Sequence, residues 1–144
     1  MYMYLEEMRE NYIMAYIKTE EVREIRKELK KQFPSWKFSV RRSSGQHAVD
    51  IHILKGIVDF WKDFTTSDWS VHYKPVNDFF IGSDWSEANA KELNKIIKII
   101  KTAPAKAKGG REWYDKSDSR FDIFDTAFYI HLQVGNYDKP YEVI

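Results

Sequence analysis

The 144-residue chain contains no cysteine. This absence excludes disulfide bonds and thiolate metal sites, and it fits a reducing compartment such as the cytoplasm. Long apolar runs are also missing, since no stretch approaches the roughly 20 apolar residues of a membrane helix. The first residues, MYMYLEEMREN, have neither the basic nor the apolar region of a secretory signal. We therefore expect a soluble cytoplasmic protein that makes no contact with a membrane.

A strong net charge is missing as well, because the formal charge is only +1. The charges are nevertheless unevenly spread along the chain. Residues 19–44 and 91–111 are basic, whereas residues 45–90 and 112–144 are acidic. Two interpretations fit this pattern. The basic blocks form a binding face, or they are solvated helix faces whose charges are neutralised by the acidic blocks in the fold.

The composition is that of a globular domain, with 43% hydrophobic and 16% aromatic residues. A chain of this length can bury its own core, so we predict a single domain over residues 1–144. Apolar residues recur at helical spacing before Met14, and residues 1–13 are predicted to be an N-terminal extension. The sequence APAKAKGGR lies within residues 103–118, which we predict to be a flexible connection.

Two segments have the periodicity of amphipathic helices. Val22, Ile25, Leu29 and Phe33 share one stripe, Thr19 suits the N-cap position and Pro34 stops the helix. This predicts a helix over residues 20–32. Ser86 precedes a second segment in which isoleucines and one leucine share a face, and this predicts a helix over residues 87–102.

Strict alternation of apolar and polar residues predicts a β-hairpin and a third strand. The hairpin spans residues 36–42 and 47–54, and SSGQ supplies its turn. The third strand spans residues 127–134. These elements predict an α+β fold, in which a small, largely antiparallel sheet is packed by the two amphipathic helices.

The segment IRKELKKQFPSWKFSVR resembles the signature of the large polyvalent protein-associated domain, type 29. The matching elements are Ile25-Arg26-Lys27, Leu29-Lys30, Phe33-Pro34 and Lys37-Phe38-Ser39-Val40-Arg41. The tail SDSRFDIFDTAFYIHLQVGNYDKPYEV is similar to the end of that domain. The similarity covers residues 14–143 and is strongest at its two ends.

The resemblance implies a biological setting, since such domains occur in proteins of phages, plasmids and conjugative elements. They are often part of very large chains that are thought to travel with or protect incoming DNA inside the host cell. The domain itself has no established activity. The matching motifs are structural, and none is a catalytic signature.

Residues with catalytic potential are few. His52 and Asp50 share a strand face, which His131 would join if its strand pairs alongside, so a metal or acid–base cluster is conceivable. The simpler interpretation is that they are ordinary outward-facing polar residues of a strand. Asp118, Asp122 and Asp125 form an acidic run, for which the alternatives are a cation site and a capped turn. We expect no enzymatic activity and assign no catalytic residue, metal site or cofactor.

The polar face of the hairpin is the main candidate site. Lys37, Ser39, Arg41 and Arg42, with Tyr129 and Gln133 on a neighbouring strand, would combine cations with an aromatic ring. Cations neutralise phosphates and an exposed aromatic ring stacks on a base. The alternatives are cross-strand pairing, for example of Arg41 with Asp50, and burial under a second helical layer. The cations of the connecting segment, Lys106, Lys108 and Arg111, are further candidates for contact with nucleic-acid phosphates, and the alternative is a mobile linker.

The leading hypothesis is a non-enzymatic accessory protein of a phage or mobile element that contacts nucleic acid or a nucleic-acid-handling complex. The alternative is a protein-binding inhibitor of a host defence system, of the anti-CRISPR or anti-restriction type. It would act through the acidic, aromatic segments 59–85 and 112–125 and offer Trp69, Trp85 or Trp113 to its partner. A weak metal-dependent enzyme is the second alternative.

Overall fold

The computed structural model describes residues 15–144, so the predicted N-terminal extension lies outside the described residues. The helices are α1 (Thr19–Gln32), α2 (Thr66–Val71), α3 (Ile81–Asp84) and α4 (Glu87–Thr102). The strands are β1 (Lys37–Arg42), β2 (Ala48–Gly56), β3 (Lys74–Val76), β4 (Tyr129–Val134) and β5 (Glu142–Val143). Short 3-10 turns at Phe60–Asp63, Asp78–Phe80, Ala103–Lys106 and Ser119–Phe121 complete the fold. The predicted α+β class is confirmed.

Helix α1 begins one residue earlier than predicted. The carboxylate of Glu21 accepts the backbone N–H of Lys18 at 3.0 Å, so Lys18 takes the N-cap position and Thr19 is already helical. A carboxylate in the first turn satisfies a free amide and opposes the positive end of the helix dipole. Glu21, rather than Thr19, therefore fixes where the helix starts.

The sheet is mixed, whereas the sequence predicted a largely antiparallel one. Its strand order is β1-β2-β4-β3, and β5 pairs with the end of β2. The pairs β1–β2 and β3–β4 are antiparallel, but β4 and β5 run parallel to β2. Parallel neighbours need a long crossover connection, and the chain from Gly56 to Tyr129 supplies one that includes α4.

The hairpin and the third strand are confirmed with their predicted faces. Val40 on β1, Ile51 on β2 and Leu132 on β4 are buried, and Ile51 is the register partner of both of the others. The buried faces of α1 and α4 belong to the same hydrophobic cluster as these residues. The two helices therefore cover one face of the sheet, which we call the covered face, and leave the other uncovered.

The segment 103–118, which the sequence predicted to be a flexible connection, is packed at its start. Ala103 and Pro104 are buried in the 3-10 turn that follows α4. Trp113 is anchored twice, because its N–H bonds to the Lys101 carbonyl at 2.8 Å and its indole Nε1 donates to the Phe128 carbonyl at 2.6 Å. Alanine and proline are small enough to pack against α1, which sequence analysis did not anticipate.

None of the helices within residues 15–144 has the length and apolar character needed to cross a membrane.

Candidate functional site

The uncovered side of the sheet presents a row of mostly polar side chains from three strands, which we call the open face. It is made by alternate residues of β1, β2 and β4: Lys37, Ser39, Arg41, Asp50, His52, Leu54, Tyr129, His131 and Gln133. All nine side chains are exposed or half-buried. The alternative that a second helical layer buries this face is therefore wrong for the part of the chain that the structure describes.

The strand register divides the open-face histidines between two pairs. His131 Nδ1 donates to Asp50 Oδ1 at 2.9 Å, and Gln133 Nε2 donates to His52 Nδ1 at 2.8 Å. Asp50 is the register partner of His131, and His52 is the partner of Gln133. Asp50 and His131 thus come together as the sequence suggested, but His52 is held by an amide. Across residues 15–144, no group of three or more histidine or carboxylate side chains is arranged to hold a metal ion.

Two of the hairpin cations remain available on the open face. Arg41 lies opposite Asp50 in the register, yet neither Arg41 nor Lys37 forms an ion pair with any of residues 15–144. Arg42 departs from the predicted group. Strand alternation places it on the same side as Val40, towards the covered face, because successive side chains point to opposite sides of a sheet.

A turn after β4 forms a groove with the open face, which we call the sheet groove. Asn136 and Lys139 exchange backbone hydrogen bonds of 2.9 and 3.2 Å, which places Tyr137 and Asp138 at the tip of the turn. One depression of about 260 Å³ is lined by residues that include Arg41, Tyr137 and Lys139. A second, of about 350 Å³, shares Leu54, Asp138 and Lys139 with the first and continues to Lys37.

Sequence analysis missed Tyr137 and Lys139 as site residues. The sequence GNYDKP, which follows the last strand, is rich in turn-forming residues, but nothing in it indicates that the turn returns to the hairpin. Lys139 forms no ion pair within the described range 15–144, and the Tyr137 side chain is 73% exposed. The sheet groove therefore combines three cations that form no ion pair within residues 15–144, Lys37, Arg41 and Lys139, with an accessible aromatic ring and the carboxylate of Asp138.

The second predicted group of cations lies elsewhere on the molecule. Lys106 pairs with Glu28 of α1 at 2.8 Å, and Arg111 stacks on Tyr114 with its guanidinium carbon 4.6 Å from the ring centroid. Helix α1 packs on the covered face, so Lys106 belongs to the helical layer. The adjoining Lys108 is exposed in the same segment. The structure thus does not bring Lys106, Lys108 and Arg111 together with the cations of the hairpin.

The three candidate tryptophans differ in accessibility. Trp69 on α2 is 54% exposed. Trp85 is only 4% exposed and packs on Phe60 and Phe64, so the prediction that it is offered to a partner is wrong. Trp113 is half-buried, and the Lys101 ammonium lies 4.5 Å from its ring centroid. An aromatic residue in an acidic segment has the same sequence signal whether it faces solvent or completes the core, which is why Trp85 was misplaced.

The acidic, aromatic segments contribute to a second concavity, which we call the edge groove. It has a volume of about 470 Å³ and lies beside the end of β3. Its lining includes the aromatic side chains of Phe79, Trp113, Phe124 and Tyr129. Phe79 is 83% exposed and Phe124 is 54% exposed. Residues 77–79 and 113–130, which are distant in sequence, thus share one apolar surface.

The acidic run near the edge groove is explained by turn capping. Asp118 accepts the Arg120 backbone N–H at 3.1 Å and pairs with the Arg120 guanidinium at 3.0 Å. The hydrogen bond from Arg120 holds the pKa of Asp118 below its ordinary value. Asp122 adopts the left-handed conformation that ends this turn, with φ of 53°. Of the two alternatives for the run, the capped turn is therefore the one that the structure bears out.

Asp115 lies in the lining of the edge groove and carries a negative charge there. Its carboxylate accepts the Ser117 backbone N–H at 3.0 Å. Hydrogen bonding by the Ser117 side chain is the largest influence that lowers the Asp115 pKa, so the group stays ionised at neutral pH. The edge groove is thus apolar with an acidic rim, whereas the sheet groove is polar with unpaired cations.

The described residues therefore present two grooves of different chemical character on a structural scaffold. Comparison with known proteins places that scaffold in a family. No match was found among curated proteins or among solved structures. A family model, large polyvalent protein associated domain 29, matches residues 16–103. The match covers α1, the hairpin and α4, although it does not include the tail that also resembled the domain. The chain belongs to the family of large polyvalent protein associated domain 29.

Proposed function

We propose that this accessory domain binds single-stranded nucleic acid in the sheet groove. The observation that carries the proposal is the meeting of Lys37, Arg41 and Lys139, none of which is ion-paired within residues 15–144, with the exposed ring of Tyr137. Lys37 and Arg41 come from one strand, and the other two residues come from the turn after β4. In this proposal the protein belongs to a phage or another mobile element and binds nucleic acid in the host cytoplasm.

The chemistry of the sheet groove suits a flexible strand. The three cations would contact successive phosphates, and Tyr137 would stack on a base that is free to turn out of the strand. Asp50 lies near Arg41 but is held by His131 at 2.9 Å. This contact leaves the Arg41 guanidinium free for a phosphate, to which it can donate two parallel hydrogen bonds.

The test is fluorescence anisotropy of labelled single-stranded DNA and RNA, titrated at low and at physiological salt. Replacing Lys37, Arg41 and Lys139 together with alanine is expected to weaken binding roughly tenfold or more. Each phosphate contact contributes about 0.7 to the magnitude of the slope of log K against log salt. The loss of three contacts should therefore reduce that magnitude by about 2. Tyr137→Ala is expected to cost about 1–3 kcal/mol with little change in salt dependence, because stacking releases no counterion.

A matched control removes the same three positive charges from the helical layer. The triple variant Lys106→Ala, Lys108→Ala, Arg111→Ala is expected to keep the affinity within about twofold, because only long-range attraction is reduced. Equal losses in the two triple variants would mean non-specific attraction and would refute the sheet groove as the site. A loss confined to the control would move the site to residues 106–111.

Protein binding is the second candidate function, in which the domain inhibits a protein of a host defence system. The observation that favours it is the edge groove, where exposed aromatic rings stand next to acidic residues. Tyr, Trp and Phe are enriched in the cores of protein interfaces. This candidate predicts a partner that binds regardless of the Lys37, Arg41 and Lys139 substitutions and is lost with Phe79→Ala.

We keep the prediction that the domain has no enzymatic activity. The metal-dependent alternative would depend on the open-face pair of Asp50 and His131. Titration with Zn²⁺ or Mn²⁺, followed by calorimetry, tests it directly. Saturable binding that is lost in His131→Ala would favour the alternative, and heat that is unchanged by this substitution would contradict it.

A further inference from the structure

The strand β4 has an edge that β3 only partly covers, and the edge groove lies in the gap. β3 is three residues long, and its pairing with β4 ends at Val76, opposite Leu132. β4 continues beyond that point to Ile130 and Tyr129, which line the groove. The groove therefore borders a part of β4 with which β3 does not pair, as well as aromatic side chains.

The direction of the backbone groups of β4 follows from two hydrogen bonds. The N–H of Tyr129 donates to His47 at 2.9 Å and that of Gly135 donates to Ile53 at 2.8 Å, both towards β2. Because backbone groups alternate between the two edges of a strand, Ile130 and Leu132 face the other way, towards β3. On that side Leu132 pairs with Val76. For Ile130, no backbone or side-chain partner is found on that side within residues 15–144.

An unpaired backbone amide beside an apolar groove is the arrangement into which an added strand fits. Main-chain hydrogen bonds would give affinity, and the alternate side chains of the added strand would enter the groove. Those side chains would meet Phe79, Phe124 and Trp113, which favours apolar or aromatic residues. A single residue pair of β-addition is short, so most of the affinity must come from these aromatic contacts.

The charge around the edge groove indicates which residues the ligand carries between its apolar ones. Residues 112–125 contain five acidic and two basic residues, and Asp115 lines the groove directly. Asp78 also lines it but is paired with Lys101. Arg120 is engaged by Asp118 at 3.0 Å. The rim is therefore net acidic, and a cationic ligand complements it.

We propose that the edge groove binds an extended peptide in which apolar or aromatic residues alternate with basic ones, by strand addition at Ile130. The proposal deepens the second candidate function, protein binding, by naming the class of segment that the partner presents. It is independent of nucleic-acid binding in the sheet groove. The N-terminal segment of this chain is a poor occupant by charge, since residues 1–14 carry three glutamates and one arginine.

The probe is a synthetic ten-residue peptide in which lysine alternates with valine and phenylalanine, labelled with fluorescein. Two peptides serve as controls: one has glutamate at every lysine position, and one is N-methylated along the bonding edge. The first peptide is expected to bind saturably, and each control peptide at least roughly tenfold more weakly. Phe79→Ala is expected to weaken binding by a similar factor, because its side chain is exposed and contributes little to folding.

Phe121→Ala is the matched control variant. Phe121 is also exposed, on the same loop as Phe124, but does not line the edge groove. It is expected to bind the peptide like the unmodified protein. A second, affinity-independent readout is amide exchange. The Ile130 N–H should exchange faster than that of Leu132 in the free protein, and adding the peptide should slow it selectively.

Three results would overturn the proposal. The first is equal binding of the lysine and glutamate peptides, and the second is a loss of affinity that is as large in Phe121→Ala as in Phe79→Ala. The third is the absence of peptide binding. If the third result is accompanied by concentration-dependent dimerisation that Phe79→Ala abolishes, a second copy of this chain occupies the groove. If it is accompanied by Phe79-dependent capture of a folded protein, strand addition fails while protein binding stands. Nucleic-acid titrations of Phe79→Ala separate all of these from failure of the sheet groove.

Discussion

Asp63 connects the 3-10 turn Phe60–Asp63 to the start of α4, and its replacement tests how the helical layer is held. Its Oδ2 accepts the backbone N–H of Ser86 at 3.0 Å, the Ser86 hydroxyl at 2.9 Å and the Asn89 amide at 2.7 Å. In Asp63→Asn a group of the same shape loses its negative charge. We expect these contacts to weaken together, because the amide oxygen that can turn into the place of Oδ2 is neutral and accepts hydrogen bonds more weakly than a carboxylate.

The size of the effect follows from the surroundings of the three donors. A hydrogen bond to a charged group contributes about 1.5–3 kcal/mol, but such contributions are not additive. Ser86 is half-buried and can turn to water, whereas Asn89 is 1% exposed and cannot. Asn89 keeps its second bond, to the Asp59 carbonyl at 2.9 Å. We therefore expect Asp63→Asn to lower the free energy of unfolding by about 2–4 kcal/mol and the Tm by roughly 5–15 °C.

The pH dependence gives a second test with a defined sign. Burial raises the pKa of Asp63, but hydrogen bonds from Ser86 and Asn89 outweigh it and hold the pKa below the ordinary value of 3.8. A depressed folded-state pKa contributes stability that is present above the unfolded-state value and is lost as the pH falls through the folded-state value. The stability of the unmodified protein should thus fall below about pH 4, and that of Asp63→Asn should fall less steeply there.

The assay is urea unfolding followed by tryptophan fluorescence at pH 7 and at several values between 5 and 2. Asp84→Asn is the control, because Asp84 is exposed and forms no hydrogen bond or ion pair within residues 15–144. It should stay within about 0.5 kcal/mol of the unmodified protein. Asp63 does not hold the start of α4 if Asp63→Asn is as stable as Asp84→Asn. The same conclusion follows if the unmodified protein and Asp63→Asn lose equal stability between pH 5 and pH 2.

Three further predictions concern the core and the turns. Phe60 is fully buried and Phe79 is 83% exposed, so Phe60→Ala should cost about 3–5 kcal/mol in urea unfolding and Phe79→Ala less than about 0.5 kcal/mol; similar values would contradict the assigned burial. Gly135 has φ of +80°, and an added Cβ would lie 2.7 Å from the His72 carbonyl oxygen, so Gly135→Ala should destabilise by about 1–3 kcal/mol, and an unchanged Tm would refute this. Burial, the larger influence, and Asp59 raise the pKa of the Tyr141 hydroxyl, which donates to Val58 at 2.7 Å. Tyr141 should therefore ionise at a higher pH than the exposed tyrosines, which ultraviolet titration measures. The free energy of unfolding should fall as the pH rises above the ordinary tyrosine pKa of 10.0, and Tyr141→Phe should reduce this fall, which unfolding at alkaline pH measures.

Much of the candidate site could be predicted because it belongs to the hairpin. Alternation over residues 36–42 placed Lys37 and Arg41 on a polar face, and the structure bears this out. The same alternation, applied strictly, would have put Arg42 on the other side. Lys139 and Tyr137 could not be predicted, because their position in one groove with β1 depends on a turn that follows a parallel strand. A sequence pattern gives the period of a strand but neither its direction nor its neighbour.

The tryptophans of the edge groove segments also show which features the sequence predicts and which depend on tertiary structure. Trp85 and Trp113 both stand in acidic, aromatic segments, yet one completes the core and the other lines the edge groove. Their burial depends on Phe60, Phe64 and Phe128, which come from distant parts of the chain. Such contacts cannot be predicted from the neighbouring residues in the sequence. The periodicity of the sequence therefore could not show that Trp85 is buried and Trp113 only half-buried.

Local sequence by itself determined the elements that have a strong period and a clear stop. α4 has its predicted bounds, and α1 and the hairpin lie within two residues of theirs, since capping, alternation and Pro34 act over a few neighbours. Tertiary structure alone decided that β4 lies parallel to β2, that β3 ends short of Ile130 and that Lys139 and Arg41 line one groove. Each of these depends on packing between segments that are far apart in the chain, where the free energy comes from burial of the shared core and not from the local conformation.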